Sequence, residues 1–231
     1  CFNLLEMGIS PESSHHEEGP GQNEIDFRYS TPLNAADNAV TFKSVVQTIA
    51  RRNGLFADFS PKPLMHESGN GLHINVSVKA ESGEDVTDSF MAGVLEHTVE
   101  MTAFLNPVAA SYKRLGEKKA PKYVTWSPEN RSQLIRIPAV KNESNRRIEL
   151  RSPDPAANPY IAYALIIYAG LDGIKRKLKP AAPCNCNLFT ADGSITDTLA
   201  NLPDTVEKAR NIAKNSEFIK RVLPEGYAES I

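Results

Sequence analysis

The sequence predicts an α+β fold in which a mostly antiparallel sheet is flanked by helices, and two kinds of periodicity predict it. Three short segments alternate apolar with functional side chains: Glu24-Ile25-Asp26-Phe27-Arg28, Leu72-His73-Ile74-Asn75-Val76-Ser77-Val78 and Arg147-Ile148-Glu149-Leu150-Arg151. Alternation at period two marks a strand with one face on a core. Elsewhere apolar residues recur at helical spacing, as in Phe90, Val94, Leu95, Thr98, Met101 and Leu105. Short polar-faced strands combined with amphipathic helices argue for α+β.

Residues 2–8 read as the last turns of a helix stopped by Gly8. Strands are expected over 9–17 and 22–29, joined through the turn Glu18-Gly19-Pro20-Gly21 as a β-hairpin. Thr31-Pro32 opens a helix, with a capping hydroxyl and a proline at the first position, that runs to Asn53-Gly54. Residues 55–61 and 71–79 are expected strands flanking a loop, and a second helix spans 89–105 before Pro107 ends it. The basic stretch 111–121 has no apolar period and is expected to be a mobile surface loop. Strands follow at 123–127, 133–137 and 146–152. Asn158-Pro159 then caps a helix to about residue 178, and 202–222 forms two amphipathic helices.

With 231 residues, 41% hydrophobic and 23% charged, the chain is long enough for one large domain core. A net charge of −2 gives no reason to expect nucleic acid or an acidic membrane surface as a partner. Cys1, Cys184 and Cys186 cannot build a disulfide framework, and the lone C-x-C pair is a weak metal signal. The expected compartment is the reducing cytoplasm. No apolar stretch reaches the roughly 20 residues of a membrane span, because the longest candidate, 161–174, is interrupted by Tyr163, Tyr168, Gly170, Asp172 and Gly173. No secretory signal or internal repeat is recognisable.

The segment around Glu149 carries the most chemistry. Arg147, Glu149 and Arg151 share one strand face and are closed off by Pro153 and Pro155, so a carboxylate fit for a metal lies between two anion-binding forks. Standing alone, the row would read better as an exposed salt-bridge ladder. If the three alternating segments share one sheet, their functional faces line a single cleft with Glu24, Asp26, Arg28, His73, Asn75, Ser77, Arg147, Glu149 and Arg151. That cleft suits a phosphate and a divalent ion.

From Gly8 to about Val222 the chain resembles the catalytic domain of glutamine synthetase, glutamate–ammonia ligase. Separated motifs carry the resemblance in order: His16-Glu17 with Gly21-Gln22-Asn23-Glu24, Lys62-Pro63-Leu64 with Gly69-Asn70-Gly71-Leu72-His73, and Asn130-Arg131-Ser132 with Ile135-Arg136-Ile137-Pro138. Arg147-Ile148-Glu149-Leu150-Arg151, Asp154-Pro155-Ala156-Ala157-Asn158-Pro159-Tyr160 and Ala169-Gly170-Leu171-Asp172-Gly173-Ile174 complete them. The resemblance implies a curved, mostly antiparallel sheet of the glutamine synthetase/guanido kinase-like kind. It implies ATP, glutamate and ammonium as substrates, Mg2+ or Mn2+ as cofactor, and a γ-glutamyl phosphate intermediate. Metals fall to Glu17, Glu24, His73 and Glu149. Glutamate falls to Gly69, Arg114, Arg131, Arg136 and Arg151, with Arg131 and Arg151 also catalytic. Glu12, Tyr29, Asn75, Ser77, Arg131 and Arg147 fall on the ATP side.

The sequence departs from the family pattern at four places. Lys119 stands where the flap over the site carries a glutamate before Ala120-Pro121, leaving Glu117 as the candidate flap base. Ser68 replaces an asparagine ahead of Gly69, and Phe189 lacks the hydroxyl that some bacterial members modify. The resemblance also implies an N-terminal domain and an upstream glutamate-bearing strand beyond residues 1–231, and further C-terminal helices. These residues alone are therefore expected to fold without turning over. Three functions compete: glutamine synthesis, ligation of glutamate to another amine, and a non-catalytic glutamine-synthetase-like domain. The full-length family member is expected to be a homo-oligomeric ring.

Overall fold

The computed structural model describes residues 1–140 and 146–230. Helix α1 (Phe2–Glu6) ends at Gly8, whose φ of +80° only glycine adopts without cost. Strands β1 (Pro11–His16) and β2 (Asn23–Phe27) pair antiparallel, with His15 opposite Glu24 and Ser13 opposite Asp26, as the hairpin reading expects. Helix α2 (Pro32–Arg52) follows, started by its first-turn proline; Thr31 makes no side-chain cap, contrary to expectation.

The second sheet contains β3 (Ile74–Val76), β4 (Trp126–Ser127), β5 (Ile135–Arg136) and β6 (Ile148–Leu150) in the order β3-β6-β5-β4. Its centre is β6, antiparallel to both neighbours, while β4 runs parallel to β5. The hairpin is a separate two-stranded sheet, so the expected single sheet is two. Alternation tells which face a strand buries and not which strand it pairs with.

Residues 55–61 form no strand. Leu55 and Phe56 are exposed, and local side chains take the backbone groups a neighbouring strand would have used. Ser60 N donates to Asp58 Oδ1 at 2.7 Å, and Asn70 Nδ2 donates to Asp58 O at 3.1 Å and Ser60 O at 2.8 Å.

One side of the second sheet is the core. Ile148, Leu150 and Ile135 are fully buried against Phe90, Met91, Val94 and Leu105 of α3 (Thr87–Leu105). After the short α4 (Ala109–Tyr112), α5 (Pro159–Lys175) lies on α3, capped by Asn158 Oδ1 accepting from Tyr160 N at 3.0 Å. The two helices nearly touch. A Cβ on Gly93 would lie 2.1 Å from Ala169 O, one on Gly173 2.2 Å from Ser89 O, and one on Gly170 2.0 Å from the Phe90 ring.

Next come α6 (Gly193–Thr196), α7 (Val206–Asn215) and α8 (Glu217–Val222), the last two as the periodicity predicts, and a 3-10 turn at Ala228–Ser230. Buried His97 of α3 fastens α8 by stacking on Phe218 at 3.9 Å. Its ring nitrogens meet Glu100 at 2.6 Å and Asp172 at 3.0 Å.

Residues 111–121 are only in part the surface loop expected: 116–119 are exposed, whereas Ser111, Arg114 and Ala120 are buried, and the chain turns through left-handed Lys118 (φ +27°) and Lys119 (φ +67°). A basic composition conceals that Arg114 spends its charge inward, on backbone carbonyls.

Candidate functional site

Strand register builds the centre of the site. Asn75 and Arg136 lie directly opposite Glu149 on β3 and β5, so all three project from the same face of the second sheet. That face points away from the hydrophobic core, which Ile148 and Leu150 join, yet Glu149 is itself buried at 5% exposure. Glu149 Oε2 accepts from Arg136 Nε at 2.6 Å, and Oε1 accepts from Arg151 Nη1 at 3.2 Å and faces His73 Nδ1 at 3.3 Å. Arg147 turns to Asn75, its Nε donating to Oδ1 at 3.2 Å.

Burial alone would push the Glu149 carboxyl up, but His73, Arg151 and Arg136 override it and hold it at about 2. Burial, with the nearby Arg151 and Arg114 charges, pushes His73 down, against the Glu149 hydrogen bond that favours its charged form. Burial and the Arg136 and Arg131 charges lower Arg151. Half-buried Arg136 and buried Arg151 both engage the buried Glu149 carboxylate, and the exposed Arg131 is near enough for its charge to act on Arg151. Arg151 Nε is buried with no hydrogen-bond partner among the described residues. A buried donor of this kind among crowded guanidiniums is suited to an anion.

Arg114 lies beneath this cluster, Nη1 donating to Ser152 O at 2.7 Å and Nη2 to Arg151 O at 3.2 Å. Burial lowers it to about 10, so it stays charged at neutral pH. Two glycines make room for it: a Cβ on Gly69 would lie 2.9 Å from Arg114 Cγ and 2.5 Å from Pro61 O, and one on Gly71 2.9 Å from Arg114 Nη2.

The hairpin supplies a second carboxylate cluster. His15, Glu17 and Glu24 bring ligand atoms within 4.8 Å of one another, with His15 Nε2 at 3.2 Å from Glu17 and 3.8 Å from Glu24. Burial, Asp26 and Glu17 together push the Glu24 carboxyl up to about 7. Two acids that cannot both ionise comfortably are relieved by a cation, and oxygen-rich donors suit Mg2+ or Mn2+. His15 was not among the sequence candidates. The signal that finds it is the i, i+2 spacing of His15 and Glu17 at the end of β1, with His15 directly opposite Glu24.

The flap joins the two clusters. Lys119 Nζ reaches Glu18 Oε1 at 2.6 Å on the hairpin turn, and its carbonyl accepts from Arg151 Nη2 at 3.4 Å. Gln22 Nε2 donates to Gly69 O at 3.1 Å and Asn70 Oδ1 at 2.9 Å, tying the turn to the 62–70 loop. Lys118 pairs with the His66 carbonyl and Glu67. Glu117 is exposed on the flap, and Ser77 is exposed beyond β3. Glu12 and Tyr29 are also exposed, at the end of the hairpin remote from its turn, and no contact among the described residues joins them to Glu149.

The family model for the glutamine synthetase catalytic domain matches residues 1–231. The chain belongs to that family. It is 44% identical to a glutamine synthetase of Methanosarcina mazei over 97% of its own length and 53% of the relative's. It is 45% identical to one of Staphylococcus aureus over 96% and 53%. It thus spans about half the length of the curated relatives it matches. Among solved structures, one described as "GmaS/ADP complex-Conformation 1" aligns with a TM-score of 0.88 and 31% identity, covering 100% of this chain and 56% of that one. Another, "Apo GmaS without ligand", aligns at 0.86. The α+β fold is therefore that of the glutamine synthetase catalytic domain. Among the described residues, no helix is long and apolar enough to cross a membrane.

Proposed function

We propose that this chain is the catalytic part of an ATP-dependent ligase that joins ammonia to the side-chain carboxylate of glutamate, for glutamine synthesis in the cytoplasm. Arg151 carries the reading: it is buried, its Nη1 engages Glu149, and its Nε has no partner among the described residues. A carboxylate oxygen of glutamate attacks the γ-phosphorus of ATP, ADP leaves, and a γ-glutamyl phosphate forms. The nitrogen of ammonia then attacks the acyl carbon, the C–O bond to phosphate breaks, inorganic phosphate departs, and the flap base takes the proton the nitrogen gives up. Arg131, Arg136 and Arg151 gather the two anions and stabilise the charge on the transferring phosphoryl group.

Glu17 and Glu24, with His15 beside them, and His73 with Glu149 would hold divalent ions. Bound there, Mg2+ or Mn2+ would offset the repulsion between carboxylate and triphosphate. Gly69 and Arg114 shape the glutamate side, Arg114 by fixing the backbone that carries Arg151. Asn75, Ser77 and Arg147 lie on the ATP side, with Glu12 and Tyr29 assigned there by resemblance. The flap base is Glu117. The activity belongs to the longer protein, a homo-oligomeric ring in which exposed Leu33, Leu55 and Phe56 are covered.

A second reading, ligation of glutamate to another amine, is favoured by one observation: the flap position expected to hold a glutamate holds Lys119, engaged with Glu18. Phosphate release with ATP, glutamate and either ammonium or a panel of alkylamines separates the readings. It should be run on residues 1–231 and on the chain extended upstream. Preference of the longer protein for an alkylamine sinks the ammonia reading. No release with any amine sinks both and leaves a non-catalytic domain.

A further inference from the structure

Cys184 and Cys186 take no part in the cleft, yet their half-buried free thiols lie 3.3 Å apart. The sheet imposes this proximity. Cys184 N donates to Trp126 O at 2.9 Å, and Asn185 Oδ1 accepts from Ser127 Oγ at 2.9 Å. Fully buried Gln133 donates through Nε2 to Cys184 O at 2.6 Å and Cys186 O at 2.9 Å, its own Oε1 held by Ser132 Oγ at 2.9 Å. Three consecutive residues are thus fastened to β4 and to the segment before β5, with the two sulfurs turned toward each other. A disulfide bond of roughly 2.05 Å requires them to approach by about 1.3 Å, a side-chain movement.

Zinc is a competing occupant of two neighbouring thiols. Among the described residues no third histidine, cysteine or carboxylate joins the pair within metal-ligand reach. Two-coordinate sites are outside what zinc accepts.

We propose that Cys184 and Cys186 form a reversible intrachain disulfide by exchange with a small-molecule disulfide such as glutathione disulfide. One thiol loses its proton, and its thiolate attacks glutathione disulfide to form a mixed disulfide as the first glutathione thiolate leaves. The second cysteine's thiolate attacks the protein sulfur of that mixed disulfide, and the second glutathione leaves. Two protein thiols are oxidised, one glutathione disulfide is reduced, and the two protons end on the two glutathiones. The ring so closed spans a single intervening residue, and that tightness makes the bond easy to reduce again.

The test treats the chain with glutathione disulfide, alkylates the remaining thiols and maps peptides by mass spectrometry, with exposed Cys1 as internal control. Cys184 and Cys186 are expected to lose alkylation together in a peptide lighter by two hydrogens. Cys1 should carry a glutathione adduct, and dithiothreitol should restore all three thiols. Persistence of both thiols after Cys1 has reacted overturns the proposal. So do separate glutathione adducts on Cys184 and Cys186, or a bridge that dithiothreitol does not open.

Discussion

Arg136 and Glu149 face each other across β5 and β6, and Arg136 Nε donates to Glu149 Oε2 at 2.6 Å. The carboxylate proposed to hold a metal is thus engaged by two guanidiniums, Arg136 and Arg151. Replacing Glu149 leaves Arg151, 4% exposed, without its counter-charge. Glu149→Ala is expected to cost about 3–5 kcal/mol in urea unfolding. It should also weaken metal-dependent ATP binding far more than Glu117→Ala does. Equal effects of the two substitutions in a calorimetric titration would remove the metal assignment.

The helix pair under the sheet depends on the absence of two side chains. Gly93 and Gly173 each face backbone of the opposite helix at distances no Cβ tolerates. Gly93→Ala and Gly173→Ala are each expected to cost at least about 1–3 kcal/mol. Both force the same two helices apart, so the double variant should lose less than the sum. Full additivity in denaturant melts would mean that the two glycines do not share one contact.

At Lys119 the backbone is left-handed, a conformation that costs a residue bearing Cβ about 1–2 kcal/mol. The half-exposed pair with Glu18 returns little, about 0–1 kcal/mol. Lys119→Gly and Lys119→Ala both lose the pair, but only glycine sheds the strain. The glycine variant should be the more stable by about 0.5–1 kcal/mol after its greater unfolded-state entropy. An alanine variant as stable as the glycine one would show that the flap leaves this conformation in solution.

Asp85 is the acid-range reporter. Hydrogen bonds from Thr87, side chain first, hold its carboxyl well below the usual 3.8, at about 2, with Arg146 adding to the effect. A depressed folded-state value means that its stabilisation is present in full above 3.8 and disappears as pH falls through about 2. Because the side chain is half-exposed, the contribution is less than about 1 kcal/mol. Asp85→Asn should therefore be slightly less stable than the parent at pH 5 and equal to it at the acid end of that window. A difference that is constant with pH would refute the titration argument.

The hairpin, α2, α3, α5 and the two C-terminal helices were legible because each is written in local terms: a turn, a first-turn proline or a run of helical spacing. Residues 55–61 were misread because their pattern is extended while the carbonyls of Asp58 and Ser60 bond Asn70, a partner twelve and ten residues away and invisible to periodicity. The 111–121 flap was misread for the opposite reason. Its charges look solvated in sequence, whereas Arg114 is buried among the carbonyls of residues 151 and 152.

By itself the sequence determined the family and the faces of the strands, and it singled out Glu17, Glu24, His73, Glu149 and the arginines as candidates, because motif spacing and period two are properties of the chain alone. The tertiary structure decided which of them meet. Register across β3, β6 and β5 brings Asn75, Glu149 and Arg136 into one row, and the separate hairpin adds His15 to the two glutamates. It also places Arg151 where burial, a carboxylate and two further guanidiniums act on it together. Desolvation and charge proximity are sums over neighbours in space, and a one-dimensional pattern does not contain them.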